Sequence, residues 1–284
     1  MNAEPPKDQW SDEAAIASWK SRLVQRWRRG VCDQVIDQVA EEIPVAMVYN
    51  GVSHAVMLAT PASLEAFGLG FSLSEGIVQD RREIYAIDIV PGEDGIELQM
   101  TIAQERFFAL KGRRRNLAGR TGCGLCGTES LQQVRRPLPA LKLGAEFTAE
   151  ALHKALDSLP QMQLLQSATG AVHAAAWATA LGDVTHVEED IGRHNALDKL
   201  IGRLAMDGVD CRAGFALVTS RASYEMVQKA ATAAMPMLVA VSAPTGLAID
   251  LAEEAGLTLV GFARPGGHVV YAHSQRLNAS QEAK

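Results

Sequence analysis

Two cysteines, Cys123 and Cys126, stand inside Gly122-Cys-Gly-Leu-Cys-Gly127. That short spacing lets the thiols meet, and the flanking glycines let the backbone bend toward a substrate. Arg113, Arg114, Arg115 and Arg120 lie close by in sequence. Nearby positive charge favours thiolate over thiol, and the thiolate is the species that attacks a disulfide or persulfide. Three other uses of the pair compete with sulfur exchange. Structural zinc needs about four nitrogen or sulfur ligands, but there is no second CxxC, and Cys32 and Cys211 are isolated. A thioredoxin-like redox pair expects its second thiol inside a helix after a strand, a geometry that glycine on both sides disfavours. A zinc deaminase needs a histidine followed by a glutamate ahead of Pro-Cys-x-x-Cys; here His173 comes after the cysteines and Gly122 takes the proline position.

A second group of residues suits an anionic ligand. Ser220-Arg221-Ala-Ser223, Ser242-Ala-Pro-Thr245-Gly246 and Arg264-Pro-Gly-Gly267 each follow a predicted strand, and the first two lead into predicted helices. Ligands collect beyond the carboxyl ends of parallel strands, and exposed amides at a helix start, hydroxyls and arginines hold phosphate oxygens. Any one segment is an ordinary cap or turn; the repetition points to a phosphate-bearing ligand. Between Glu188 and Lys199, carboxylates, an imidazole, an amide and cations crowd together. Asp190, His194 and Asn195 are expected to face a ligand, with Asp198 orienting His194; solvent-exposed capping is the competing reading. His173 is expected at the start of a helix, as a capping group or, beside an arginine-lined anion site, as a phosphate contact or proton carrier. No GxGxxG or GxxxxGK[ST] accompanies these residues, so an ordinary dinucleotide or P-loop site is not supported.

The elements that must position these groups follow from hydrophobic spacing. Ile16, Trp19, Leu23 and Trp27 predict an amphipathic helix over Ser11–Arg29 with Lys20, Arg22, Arg26 and Arg28 on its other side. Strands are predicted at Ile43–Tyr49, Ile84–Ile89 and Ile96–Ala103, with a helix over Ser63–Leu73, then a glycine-rich loop from Gly112 to Gly127 that burial will not hold tightly. The second half alternates: a helix around Leu152, Leu156 and Leu159, an alanine-rich helix over Ala171–Leu181, strand Asp183–Val187, helix Asn195–Ala205, strand Phe215–Thr219, helix Ser223–Ala234, strand Met237–Val241, helix Gly246–Ala255 and strand Leu257–Phe262. A largely parallel sheet covered on both faces is expected, with Val269–Ala272 as an antiparallel edge. The domain reading is a polar tail and helix over 1–30, a strand-rich region over 31–145 and an α/β unit over 146–284.

Composition narrows the function classes. A chain of 284 residues that is 48% hydrophobic can bury a substantial core. Its net charge of -6 argues against a general nucleic-acid binder. No apolar run reaches the length that crosses a bilayer, and the polar N-terminus lacks the apolar core of a secretory signal. Four cysteines make no disulfide scaffold, so a reducing cytoplasm and one reactive pair is the simplest expectation.

Taken together, the segments resemble the formate dehydrogenase accessory sulfurtransferase (FdhD-like) family. Gly70-Phe-Ser-Leu-Ser-Glu-Gly-Ile77, the CGLCG segment, Thr169-Gly170 with His173, Glu189-Asp-Ile-Gly-Arg-His-Asn-Ala-Leu-Asp-Lys-Leu-Ile-Gly202, Ser220-Arg-Ala-Ser223, Val241-Ser-Ala-Pro-Thr-Gly246 and Leu257-Thr-Leu-Val-Gly-Phe262 carry the likeness, in order. The resemblance implies an α/β, cytidine-deaminase-like three-layer domain, a dimer, and a mobile cysteine loop. It implies sulfur taken from a cysteine desulfurase as a persulfide and passed to the molybdenum bis(molybdopterin guanine dinucleotide) that formate dehydrogenase requires, with no resident protein-ligated metal. Carried over, Cys123 would bear the persulfide and Cys126 would be the second thiol. Phe262, Ala263, Arg264, Pro265, Gly266 and Gly267 would contact the cofactor, helped by Ser220, Arg221 and Ser242, with Asp190, His194, Asn195 and His173 lining the pocket. A cofactor-binding chaperone that transfers no sulfur is the alternative. Gly170-Ala171 and Pro61-Ala62 replace glycine pairs and Pro-Gly common in the family, each adding a methyl group.

Overall fold

A computed structural model describes residues 18–115, 138, 140–141 and 145–278, without the side chains of 113–115. Cys123, Cys126 and the loop expected to carry them lie outside the described residues.

The described chain opens on a ribbon. Strands β1 (Trp19–Arg28) and β2 (Val31–Ala40) pair antiparallel from Trp19 with Ala40 to Arg28 with Val31. Arg29 and Gly30 make the turn, both at positive φ, as a tight two-residue hairpin turn requires. This corrects the helix expected over Ser11–Arg29. Residues four apart share a helix face, but four is also two strand periods. Trp19, Leu23 and Trp27 take alternate positions to Lys20, Arg22, Arg26 and Arg28, which is strand alternation.

Strands β3 (Ile43–Tyr49), β4 (Val52–Ala59), β5 (Ile84–Pro91) and β6 (Ile96–Ile102) form a sheet in the order β4-β3-β6-β5. Val45, Met47, Leu98 and Met100 cover its inner face against Phe67 and Phe71 of helix α1 (Leu64–Ser74). Helix α2 (Gln104–Arg115) follows, so Gly112–Arg115 are helical where a loop was expected. One glycine costs a helix only about 1 kcal/mol.

The rest of the chain runs β7 (Phe147–Thr148), α3 (Ala149–Met162), α4 (Leu164–Thr169), β8 (His173–Thr179), β9 (Val184–Asp190) and α5 (Arg193–Met206). It continues through β10 (Gly214–Val218), α6 (Tyr224–Thr232), β11 (Met237–Ala240), α7 (Gly246–Ala255), β12 (Thr258–Arg264), β13 (Gly267–Ala272) and β14 (Leu277–Asn278). A six-stranded sheet has the order β13-β12-β11-β10-β8-β9. Strands β10, β11 and β12 are mutually parallel, whereas β8, β9 and β13 run antiparallel to their neighbours. The sheet is therefore mixed, not largely parallel, and β13 is the expected antiparallel edge. Leu200 of α5, Met226 of α6 and Leu251 of α7 pack with Trp177, Val218 and Leu238. Leu152, Leu156 and Leu159 of α3 pack with Phe215, Leu217 and Val239. Neighbouring side chains along one strand point to opposite faces, so Val218 and Leu217 place these helices in separate layers around the sheet.

Strand β8 replaces the alanine-rich helix expected over Ala171–Leu181. Ala174 to Ala178 are all buried, with β9 and β10 paired on either side. Alanine's helix preference is well under about 1 kcal/mol per residue, and backbone pairing on both edges outweighs it. Helices α1 and α5 cross at two glycines: a Cβ on Gly70 would collide with the carbonyl oxygen of Asp198, and one on Gly202 with that of Ala66. Glycine at both places lets the four-stranded unit seat on the six-stranded one.

Candidate functional site

The three hydroxyl- and arginine-bearing segments do meet at the carboxyl ends of β10, β11 and β12. Val241 N–H donates to Val218 O, Thr245 N–H to Ala222 O and Phe262 N–H to Ser242 O, and Ala222 bridges Pro244. Ser220 is buried with its hydroxyl on the Arg221 carbonyl at 3.1 Å, whereas Arg221 is exposed. Ser242 is half-buried. Thr245 caps α7 by accepting from Ala248 N–H.

Phe262 marks the most unusual backbone here. The β12–β13 register slips between Gly261 and Arg264, and Phe262 takes a left-handed φ of 49°. Such a conformation is costly for an aromatic residue. It leaves the Phe262 ring 46% exposed while Ala263 is buried. Gly261 has no room for a Cβ, which would press on the Pro244 ring. Arg264, Pro265, Gly266 and Gly267 are exposed at the β12–β13 turn. That turn is tied to α3: Gly266 N–H donates to His153 Nδ1 at 3.1 Å, and His153 Nε2 lies 3.0 Å from His268 Nδ1. Burial and then the His153 charge push the His268 imidazole below its ordinary range.

The crowded segment from Glu188 to Lys199 divides in two. Asp190 and Asn195 were expected to face a ligand, but both turn inward. Asp190 is fully buried against the equally buried Lys199 at 2.7 Å. It accepts from Thr60 N–H and Thr60 Oγ1 at one oxygen, and from Gly192 N–H and Asn195 Nδ2 at the other. Asn195 also donates to Leu58 O, and Lys199 donates to Thr60 O and Oγ1. Asp190 thus ties the start of α5 to the end of β4. A Cβ on Gly192 would crowd the Asn195 amide, so glycine is required where the chain turns.

Asp198 does not orient His194. It is buried with Ser74 Oγ at 2.6 Å and Lys229 Nζ at 2.9 Å. Lys229 also reaches Glu75 at 2.9 Å. Burial opposes the Lys229 charge, but Asp198 and Glu75 outweigh it and hold the ammonium above its ordinary range. Glu225 takes the orienting role, with its Oε2 2.8 Å from His194 Nε2. His173 begins strand β8, not a helix, and is half-buried. Burial first, then the charges of Arg193 and His194, lower its imidazole below the ordinary range.

Glu225 gives a pH signature. Its hydrogen bond with His194 holds the carboxyl below its usual range against burial, aided by the charges of His194 and Lys229. A depressed folded-state carboxylate contributes stability that is present above its unfolded value near 4.5 and lost as pH falls through the lower folded value. Acid titration of Glu225→Gln should therefore show a shallower loss of stability below that value than the parent chain. Equal slopes would show that the pair contributes nothing.

Sequence reasoning missed Glu225, Arg193, Thr60 and Lys199. Arg193 and Lys199 stood in view inside the motif, whereas Thr60 and Glu225 reach it only through long-range contacts. Among the described residues, no three His, Cys, Asp or Glu side chains gather to hold a metal ion. Of the described cysteines, Cys32 is exposed, and burial and then the Asp210 charge push the Cys211 thiol up to about 11. Cys211 is therefore a poor nucleophile.

The chain is thus a three-layer α/β protein whose hydroxyls, arginines and outturned aromatic ring gather at the carboxyl edge of its sheet. Residues 40–278 match the FdhD/NarQ family, and the chain belongs to that family. It is 60% identical to a sulfur carrier protein FdhD of Cupriavidus necator, over 89% of this chain and 88% of that one. It is 56% identical to a sulfur carrier protein FdhD of Xanthomonas euvesicatoria pv. vesicatoria, over 90% and 92% of the two chains. A solved structure described as a formate dehydrogenase accessory protein from Desulfotalea psychrophila shares the fold. It has a TM-score of 0.73 at 21% identity, covering 92% of this chain and 100% of that one. Among the described residues, no helix is long and apolar enough to cross a membrane.

Proposed function

We propose that this chain is a sulfurtransferase of formate dehydrogenase maturation. It takes persulfide sulfur from a cysteine desulfurase and gives it to the molybdenum of a bis(molybdopterin guanine dinucleotide) cofactor, bound as substrate. The observation that carries the binding half is the strand-end surface, where the Phe262 ring is turned outward beside Ser242. An exposed aromatic face suits a nucleobase, and the exposed amides and guanidinium of Arg264–Gly267 suit its phosphates. Ser220, Arg221, Ser242, His173 and His194 complete the candidate contacts, while Asp190 and Asn195 hold the wall behind them. The family relatives named as sulfur carriers support the transfer half.

The chemistry falls to Cys123 and Cys126. Cys123 thiolate attacks the outer sulfur of the desulfurase persulfide; that S–S bond breaks, the desulfurase thiolate leaves, and Cys123 holds the new persulfide. Attack of the Cys126 thiolate on the inner sulfur of Cys123 then closes a disulfide and expels the outer sulfur as sulfide. The two thiols supply the two electrons. Sulfide released beside a bound cofactor reaches molybdenum by placement. A cytoplasmic, homodimeric, cytidine-deaminase-like protein fits this role; the three-layer mixed sheet supports the last of these.

Incubation with a cysteine desulfurase and cysteine should add the mass of one sulfur atom to the intact chain, removable by reductant. Cys123→Ala should gain none. Undiminished loading of Cys123→Ala would overturn the assignment.

A further inference from the structure

Arg193 Nε and Ser223 Oγ are buried with no hydrogen-bond partner among the described residues, and the neighbouring His194 Nε2 has only its ion-pair contact with Glu225. Ser223 stands at the N-cap of α6 yet makes no side-chain cap bond. Arg193 opens α5 from Gly192 and has no carboxylate within ion-pair distance among the described residues. A buried donor left unmade costs about 1–3 kcal/mol and a buried charged one more, so neither atom earns its place through the fold.

The neighbours explain why the two belong together. His194, next to Arg193 in the chain, is paired with Glu225, which lies in the first turn after Ser223. That pairing satisfies Glu225 and leaves it unavailable to neutralise Arg193. The nearest other carboxylate in the segment, Asp190, is taken up by Lys199, Thr60, Gly192 and Asn195. His173 is the third member, lying close enough to Arg193 and His194 for their charges to bear on it. What results is a guanidinium with an unpartnered Nε, an unpartnered hydroxyl and an imidazole.

We propose that Arg193, Ser223 and His173 form an oxyanion subsite separate from the Arg264–Gly267 turn, built for an anionic tetrahedral group. An arginine Nε–H and its neighbouring amino group form a fork that matches two oxygens of such a group. Ser223 supplies a third donor and His173 a fourth. Resting on the cofactor reading above, the group is the second phosphoryl of the bound guanine nucleotide: the base and the first phosphoryl lie toward Phe262 and the Arg264–Gly267 turn, and the second crosses the ends of β11 and β10 toward Arg193. Arg193 is then a binding residue for the transfer reaction.

Calorimetric titration of the full chain with sulfate, and separately with guanosine diphosphate, tests the subsite. Sulfate is a tetrahedral dianion throughout the useful pH range. The parent chain should bind both, and guanosine diphosphate should displace sulfate. Arg193→Met should weaken sulfate about ten- to a hundredfold, Arg193→Lys less, and Ser223→Ala a few fold. Thermal unfolding without anion should be unchanged or raised in Arg193→Met, since the variant removes a half-buried charge whose Nε has no partner among the described residues. Sulfate affinity unchanged by Arg193→Met, or no sulfate binding by the parent chain, would overturn the subsite. If guanosine diphosphate then still bound, the cofactor reading would stand without it. Arg193-dependent sulfate binding with no response to guanosine diphosphate would retain the subsite and overturn the cofactor reading.

Discussion

Asp190→Ala should lower the stability of the chain by about 3–5 kcal/mol, the usual cost of stranding one partner of a buried ion pair. Lys199 is fully buried and depends on this carboxylate, and so do Thr60, Gly192 and Asn195. For a chain of this size the melting temperature should drop on the order of 10 °C. Lys199→Met should be milder. It leaves a buried carboxylate, but one that still accepts from two Thr60 groups, one Gly192 amide and the Asn195 side chain. Denaturant melts of the two variants decide the matter. A loss under about 1 kcal/mol for Asp190→Ala, or a larger loss for Lys199→Met, would show that the pair does not carry the junction between β4 and α5.

The second large effect concerns the thiols. Cys126→Ala should accept sulfur from a desulfurase as well as the parent chain does, yet release almost none. In the proposed exchange Cys126 provides the electron pair that expels sulfide from Cys123. The loaded form should persist in intact-mass spectra over times in which the parent chain discharges its sulfur and ends as the Cys123–Cys126 disulfide, and formate dehydrogenase matured with it should be nearly inactive. Cys123→Ala should fail one step earlier, with no sulfur gained. If Cys126→Ala matures formate dehydrogenase normally, the persulfide is discharged without a second thiol and the two-thiol balance is wrong.

Much of this was written in the sequence, and the losses have particular causes. The alternation of strands and helices after Asp183 survived because each element there has one clear apolar pattern. Its candidate ligand segments accordingly landed at the sheet's carboxyl edge. Trp19, Leu23 and Trp27 misled because their spacing satisfies two periods at once; the basic residues between them held the deciding parity. Ala174–Ala178 misled for the opposite reason, since alanine carries no face preference and its burial depends on neighbours far along the chain. Within the motif around His194, type and spacing identified chemistry-bearing residues but not their direction. Asp190, Asn195, Asp198 and Lys199 form internal bonds, and His194 is held by Glu225, a partner 31 residues on in a different helix.

The most direct measurement follows labelled sulfur from cysteine to molybdenum. With desulfurase, isotopically labelled cysteine, this chain and the guanine-dinucleotide cofactor, the label should pass through Cys123 and then be recovered on the cofactor in proportion to molybdenum. Formate dehydrogenase reconstituted with that cofactor should be active. Active enzyme whose cofactor carries no label, with the labelled sulfur still on the protein or lost as free sulfide, would contradict sulfur transfer and leave a cofactor-binding chaperone in its place.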